Sequence, residues 1–153
     1  MSLAASLFLL SCAKSDESGD IDQEITLLFG YYKGLVPEGD YSDIYLLNDT
    51  QLFLDSLGNY PSNGFYEGEF EKLTESDFQI AQDLISFFPS ELFNEVENYV
   101  GCPDCADQGG IYVEYERGDL HGFWTIDNQQ DALPEYLHEF VDKISEKVTL
   151  LDN

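Results

Sequence analysis

The chain of 153 residues carries 31 Asp and Glu against 6 Lys and Arg, a formal charge of −25, on a length that suits one domain. That balance excludes nucleic-acid binding, because no basic stripe is present to displace phosphate counterions. It excludes a polybasic grip on anionic headgroups for the same reason, while 43% hydrophobic and 14% aromatic residues still suffice to bury a core.

No apolar run reaches the roughly 18 residues of a membrane span. The first segment, Leu3 to Leu10, is an apolar stretch of signal-peptide h-region length that ends in Leu9-Leu10-Ser11-Cys12. Those four residues resemble the lipobox of bacterial lipoproteins, in which a Leu, a tolerant position and a small residue precede the cysteine. The resemblance implies that residues 1–11 are a signal peptide, cleaved before Cys12. It further implies that Cys12 is thioether-diacylated on sulfur and N-acylated, with two or three acyl chains anchoring the protein stably. Met1-Ser2 carries no Lys or Arg, unlike an ordinary secretory n-region, which points to a start a few codons upstream or a trimmed end. The competing reading is a short hydrophobic segment packed onto the domain.

Residues 12–24 then read as a lipidated acidic tether. The stretch AKSDESGDIDQE holds one large apolar side chain, too little to order itself. Lys14-Ser15-Asp16-Glu17 resembles the acidic export signal of Bacteroidota-type surface lipoproteins, which implies outer-membrane anchoring with surface display favoured over the periplasmic face.

From residue 25 to 153 a single domain is expected. ITLLFGYYK (25–33), DIYLLN (43–48) and QLFLD (51–55) read as strands, the last two joined at Asn48-Asp49-Thr50. FYEGEFEKL (65–73) reads as another strand after a breaker cluster at 58–64. Thr74 with Asp77 resembles a capping box, and Phe78, Ala81, Leu84, Ile85 and Phe88 follow helical spacing up to Pro89. Ser90 begins a second short helix with Leu92, Phe93, Val96 and Val100 inward, ended by Gly101. GIYVEYE (110–116) and HGFWTID (121–127) form a hairpin about Arg117-Gly118-Asp119. Residues 133–151 form an amphipathic helix with Leu133, Leu137, Phe140, Ile144, Val148 and Leu151 on its apolar face and Pro134 in its first turn. The order predicts an α+β fold: an antiparallel sheet of about five or six strands with helices packed on one face.

With Cys12 assigned to lipid, Cys102 and Cys105 of the Cys102-Pro103-Asp104-Cys105 motif remain, an even count for an oxidising compartment. A structural disulfide leads, with a redox-active pair, a metal site and free thiols as alternatives. A helix ending before Cys102, with Asp104 and Asp107 nearby, disfavours a reactive thiolate. The spacing to His121 and His138 fits no familiar zinc pattern, so no metal and no cofactor are expected. Glu67, Glu69 and Glu71 alternate along one expected strand, and Glu114 and Glu116 along another. Were those strands neighbours, one sheet face would be a carboxylate field facing solvent, cations or a basic partner.

Trp124, Phe123, Tyr112 and Tyr115 surround the hairpin as sheet core or as a sugar-stacking platform. Asn48-Asp49-Thr50 fits an N-glycan sequon, and Asp55-Ser56-Leu57 resembles the O-glycosylation site of Bacteroidota envelope proteins. No catalytic motif is present among the common hydrolase, phosphate-binding or dinucleotide patterns. The segment GCPDCADQGGIYVEY…WTID…LPEYLHEFVDKI resembles the C-terminal part of small uncharacterised Bacteroidota lipoproteins, through Cys102, Asp104, Cys105, Asp107 and Gly109. That resemblance brings a compartment and a fold but no activity. The expectation is a lipid-anchored, non-catalytic envelope protein with an acidic accessory or binding domain. Its partner would be cationic or another envelope protein, with no nucleic acid. A thiol–disulfide protein using Cys102 and Cys105, or a divalent-cation binder, are the alternatives.

Overall fold

The computed structural model describes residues 23–34, 41–61 and 64–153, so the lipobox, Cys12 and nearly all of the tether lie outside the described residues. Seven strands form one sheet: β1 (Ile25–Tyr32), β2 (Ser42–Asn48), β3 (Leu52–Asp55), β4 (Phe70–Lys72), β5 (Tyr99–Val100), β6 (Gly110–Arg117) and β7 (Leu120–Ile126). Their spatial order is β4-β3-β2-β1-β6-β7-β5. Every pairing is antiparallel except the one between β5 and β7. Helices α1 (Glu75–Ala81) and α2 (Glu135–Leu151) complete the α+β fold, with 3-10 turns at Leu84–Phe87 and Ser90–Asn94 between α1 and β5. Among the described residues, no helix is long and apolar enough to cross a membrane.

Local chemistry accounts for most of these elements. Asn48 Oδ1 accepts from the amides of Thr50 (3.0 Å) and Gln51 (2.8 Å), an Asx turn that closes the β2–β3 hairpin. The expected capping box forms: Thr74 Oγ1 accepts from Asp77 N while Asp77 Oδ2 accepts from Thr74 N (3.0 Å). In α2 the apolar stripe Leu137, Phe140, Ile144 and Val148 is buried, and Pro134 stands just ahead of the first turn as its N-cap.

Period-2 alternation divides the sheet into two faces. One carries Leu27, Phe29, Tyr45, Leu47, Ile111, Val113, Tyr115, Trp124 and Ile126 against α1, the 3-10 turns and α2. There Phe88 stacks on Tyr115 at 4.2 Å between ring centres and meets Phe140 edge-on at 5.7 Å. Ala81 and Leu84 are fully buried on this side, but the helix expected to run up to Pro89 ends at Ala81, and Leu84 stands in the following 3-10 turn. Lys147 of α2 is buried too and pairs with Asp83 (Nζ to Oδ1, 2.8 Å).

The opposite face has its own smaller apolar cluster of Leu28, Tyr32, Ile44 and Tyr112. No helix covers it. The segment after β3 folds back across it instead, laying Tyr66 against Tyr112 at 5.6 Å and Phe65 against Phe123 at 5.2 Å.

Three further expectations need correction. The sheet has seven strands, one more than the upper expectation, because residues 99–100 join it. The expected helix from Ser90 to Gly101 is a 3-10 turn ending at Asn94, and Val96 is 93% exposed rather than inward. Beyond that turn the open edge of β7 recruits the backbone: Thr125 N donates to Asn98 O and Asp127 N to Val100 O, both at 2.9 Å. Finally, the strand expected over 65–73 shrinks to Phe70–Lys72, since Glu114 Oε2 takes the amide of Tyr66 (2.9 Å) and Asp55 Oδ1 that of Glu69 (2.7 Å).

Candidate functional site

The expected carboxylate field does not assemble. Three strands stand between β4 and β6, and Glu67 and Glu69 lie outside any strand. Glu71 is opposite Leu54, in the row that runs through Tyr45, Phe29 and Val113 on the helix side. Glu114 instead lies in the row of Leu28, Leu46 and Phe53. Residues directly opposite share a face, so Glu71 and Glu114 point to opposite sides of the sheet. Glu67, Glu69, Glu71 and Glu116 are exposed, while Glu114 is half-buried. Glu114 accepts from Tyr112 Oη at 2.7 Å and from Tyr66 N, which fastens the crossing segment to the sheet.

Two buried aspartates do similar work elsewhere. Asp55 accepts from Gly58 N (2.8 Å), Glu69 N and Tyr66 Oη (2.9 Å). Asp127 accepts from the amides of Cys102 and Gln129, each at 2.9 Å. No local residue pattern marks either as buried. The breaker-rich stretches beside them, 58–64 and 101–109, are the signal that loops there need acceptors.

Cys102 and Cys105 are joined by a disulfide with Cα atoms 5.5 Å apart. Strand β5, not a helix, leads into Cys102, so the helix-dipole argument against a thiolate does not apply. No α-helix begins at the motif either. The loop is set by its backbone. Asp104 and Asp107 hold left-handed φ values of 58° and 54°, a region that Asp tolerates better than most residues. Gly109 has φ 72°, and a Cβ there would strike the carbonyl oxygen of Tyr32. Asp104 N donates to Gly109 O (2.9 Å), and Asp104 Oδ1 accepts from Gly109 N (3.0 Å).

Next to this loop, on the face without helices, lies a cavity of about 300 Å³. Tyr32, Tyr60 and Tyr99 line it together with Pro61, the Cys102–Cys105 loop and Thr125. Tyr32 and Tyr60 meet edge to face, ring centres 5.3 Å apart and planes at 80°. Tyr60 Oη donates to Asp104 Oδ2 at 2.7 Å, tying the loop after β3 to the disulfide loop. Burial, and then the charge of Asp104, pushes the Tyr32 phenol up to about 12. Burial followed by the bond to Asp104 raises that of Tyr60. Both tyrosines therefore stay protonated donors at any ordinary pH. No local pattern marks this site, because its tyrosines come from three separate stretches of chain.

The remaining expected residues are dispersed. His121 is exposed and edge-on to Phe65, and the His138 ring nitrogen lies 3.0 Å from Leu133 O. Among the described residues no three His, Cys, Asp or Glu side chains come together as a metal site needs. Of the hairpin aromatics, Tyr112, Tyr115 and Trp124 are buried as sheet core, which leaves no stacking platform there. Asn48 of the sequon has its side chain occupied by the Asx turn and by Glu24 Oε1. Ser56 Oγ is exposed but donates to Glu69 O, and the neighbouring Asp55 is buried.

Fold and site together define an acidic α+β domain with a tyrosine-lined cavity beside a disulfide loop. No protein-family model matches the chain, and no curated protein matches it significantly.

Proposed function

We propose that the protein is a lipid-anchored, non-catalytic envelope lipoprotein whose acidic domain serves as an accessory or binding module. The observation that carries this reading is Leu9-Leu10-Ser11-Cys12 at the end of an h-region-length apolar stretch. An intramolecular disulfide supports it, since such bonds persist in oxidising compartments and are rare in a mesophile's cytosol. Anchoring would be at the outer membrane, with the surface favoured. The partner would be cationic or another envelope protein, drawn by the excess of carboxylates.

Intact-mass analysis of membrane-extracted protein tests the reading. The expected mass lacks residues 1–11, carries acyl chains on Cys12 and shows the two-hydrogen deficit of an oxidised Cys102–Cys105 pair. Native protein recovered without lipid and with Met1 still attached would overturn it.

Exposure of both Cys102 and Cys105 favours a second reading, thiol–disulfide exchange with an external dithiol. Reduction of insulin disulfides by the reduced protein would support that alternative. A reduction potential in the range of structural disulfides, with no such activity, would remove it.

A further inference from the structure

We propose that the cavity lined by Tyr32, Tyr60, Tyr99 and Asp104 is a binding site for a small organic cation of the methylated-ammonium class. The inference deepens the binding-module reading by naming a site and a ligand chemistry, and rests on it only in that the domain binds a ligand. It does not depend on the anchor.

The walls come first. Three tyrosines, two prolines and the disulfide loop enclose about 300 Å³, at the small end of sites for small molecules. Tyrosine faces attract cations through the ring quadrupole, most strongly where water is partly excluded. Tyr32 is almost fully buried, whereas Tyr60 and Tyr99 are 44% and 55% exposed. The site thus has a firm floor and an accessible rim.

The charge comes next. Among the described residues lining the cavity, Asp104 is the one carboxylate and none is Lys or Arg. Its oxygens accept from Tyr60 Oη and Gly109 N. Both of these donors are neutral, and each oxygen keeps a further acceptor position. The disulfide flanks Asp104 on both sides, its backbone is left-handed, and the Gly109 bonds fix its direction. A carboxylate held in this way costs little to order when a ligand arrives.

This combination selects among ligands. Calcium and magnesium need about six oxygen ligands, several of them usually carboxylates, and among the described residues the lining offers one carboxylate. A sugar would also stack on rings, but it needs several convergent hydrogen-bonding side chains, and the described lining offers only Asp104, Thr125 and the tyrosine hydroxyls. An ammonium whose charge is spread over methyl groups gains from the ring faces and the carboxylate together. The domain's overall negative field raises its local concentration.

Titration of the full-length protein in detergent at constant ionic strength tests this, with choline, its neutral isostere 3,3-dimethylbutan-1-ol, methyl glucoside and calcium as probes. The expected result is saturable 1:1 binding of choline, with the isostere weaker by about tenfold or more. Asp104→Asn should weaken choline by about tenfold, and Tyr99→Leu, on the exposed rim, by several-fold with melting unchanged. Should Asp104→Asn fail to fold, Tyr99→Leu carries the comparison. Equal binding of the isostere, preference for the glucoside or calcium, indifference to Tyr99→Leu, or no saturation by choline would each overturn the proposal. An acylated protein blind to choline defeats this inference alone. A choline-binding protein without acyl chains defeats the anchor alone.

Discussion

The two faces of the sheet are held by different physics. On the helix side, Leu27, Phe29, Val113, Trp124, Leu137, Phe140 and Ile144 form a continuous apolar layer, stabilised by burial and by ring packing around Phe88. On the other side a loop rather than a helix covers the sheet, and carboxylates fasten it: Asp55 and Glu114 collect backbone amides and the hydroxyls of Tyr66 and Tyr112. With 6 basic side chains for 31 acids, the partners of carboxylates here are mostly hydroxyls and N–H groups rather than ammonium or guanidinium. Tyr60–Asp104 repeats the pattern on this side, while Tyr45–Asp152 and Tyr136–Glu95 use it at the margins of the helix-side core. Among the described residues, no buried side-chain polar atom lacks a partner, as a stable core requires.

The largest effect that would sharpen this contrast is alkaline unfolding. Tyr32 and Tyr66 are pushed up to about 12, in each case chiefly by burial. Burial first, and then the partner carboxylate, also raises Tyr45, Tyr112 and Tyr136. The unfolded chain releases these protons near pH 10 while the folded one holds them, so the stabilisation is intact below about 10 and is lost as pH rises toward 12. Circular dichroism across an alkaline titration should show cooperative unfolding in that window, together with the tyrosinate absorbance. Stepwise tyrosinate formation from pH 9 with the fold retained would refute the linkage.

Single substitutions compare the faces directly. Phe140→Ala on the helix side should cost about 3–5 kcal/mol through the cavity it leaves. Asp55→Ala should cost about 1–3 kcal/mol for each donor left without an acceptor, and, unlike Phe140→Ala, should speed proteolysis within residues 56–69. Urea melts and protease mapping read both. Equal proteolysis in the two variants would mean that the loop is held by its aromatics rather than by Asp55.

The smallest effect belongs to the disulfide. Opening the four-residue Cys102–Cys105 loop should lower stability by about 2 kcal/mol on the loop-entropy account, a few degrees in a thermal melt with and without reductant. An unchanged melting temperature would assign the loop's order to its Asp104 and Gly109 bonds instead.

Much of this architecture could be read from local pattern. The β1, β2, β3, β6 and β7 runs, the Thr74–Asp77 cap and the stripe of α2 depend on neighbours within a few residues, and each forms near the expected place. Val96 and Val100 satisfy a helical period within Ser90–Gly101, yet residues 98–100 pair with a strand that lies more than twenty residues further along the chain. Glu67, Glu69 and Glu71 alternate as a strand would, but the amides of Tyr66 and Glu69 bond to Glu114 and Asp55 instead.

The sequence by itself determined the charge, the apolar periodicities, the turn chemistry, the α+β class and the lipobox-like segment, since all of these are properties of adjacent residues. Only the tertiary structure decided which carboxylates are buried, which edge β5 joins and which tyrosines share a cavity with Asp104. Those outcomes turn on contacts such as Tyr60–Asp104 and Tyr66–Glu114, whose partners are 44 and 48 positions apart. Closing loops of that length carries an entropic cost that the whole packed sheet offsets, so no short stretch of sequence encodes them.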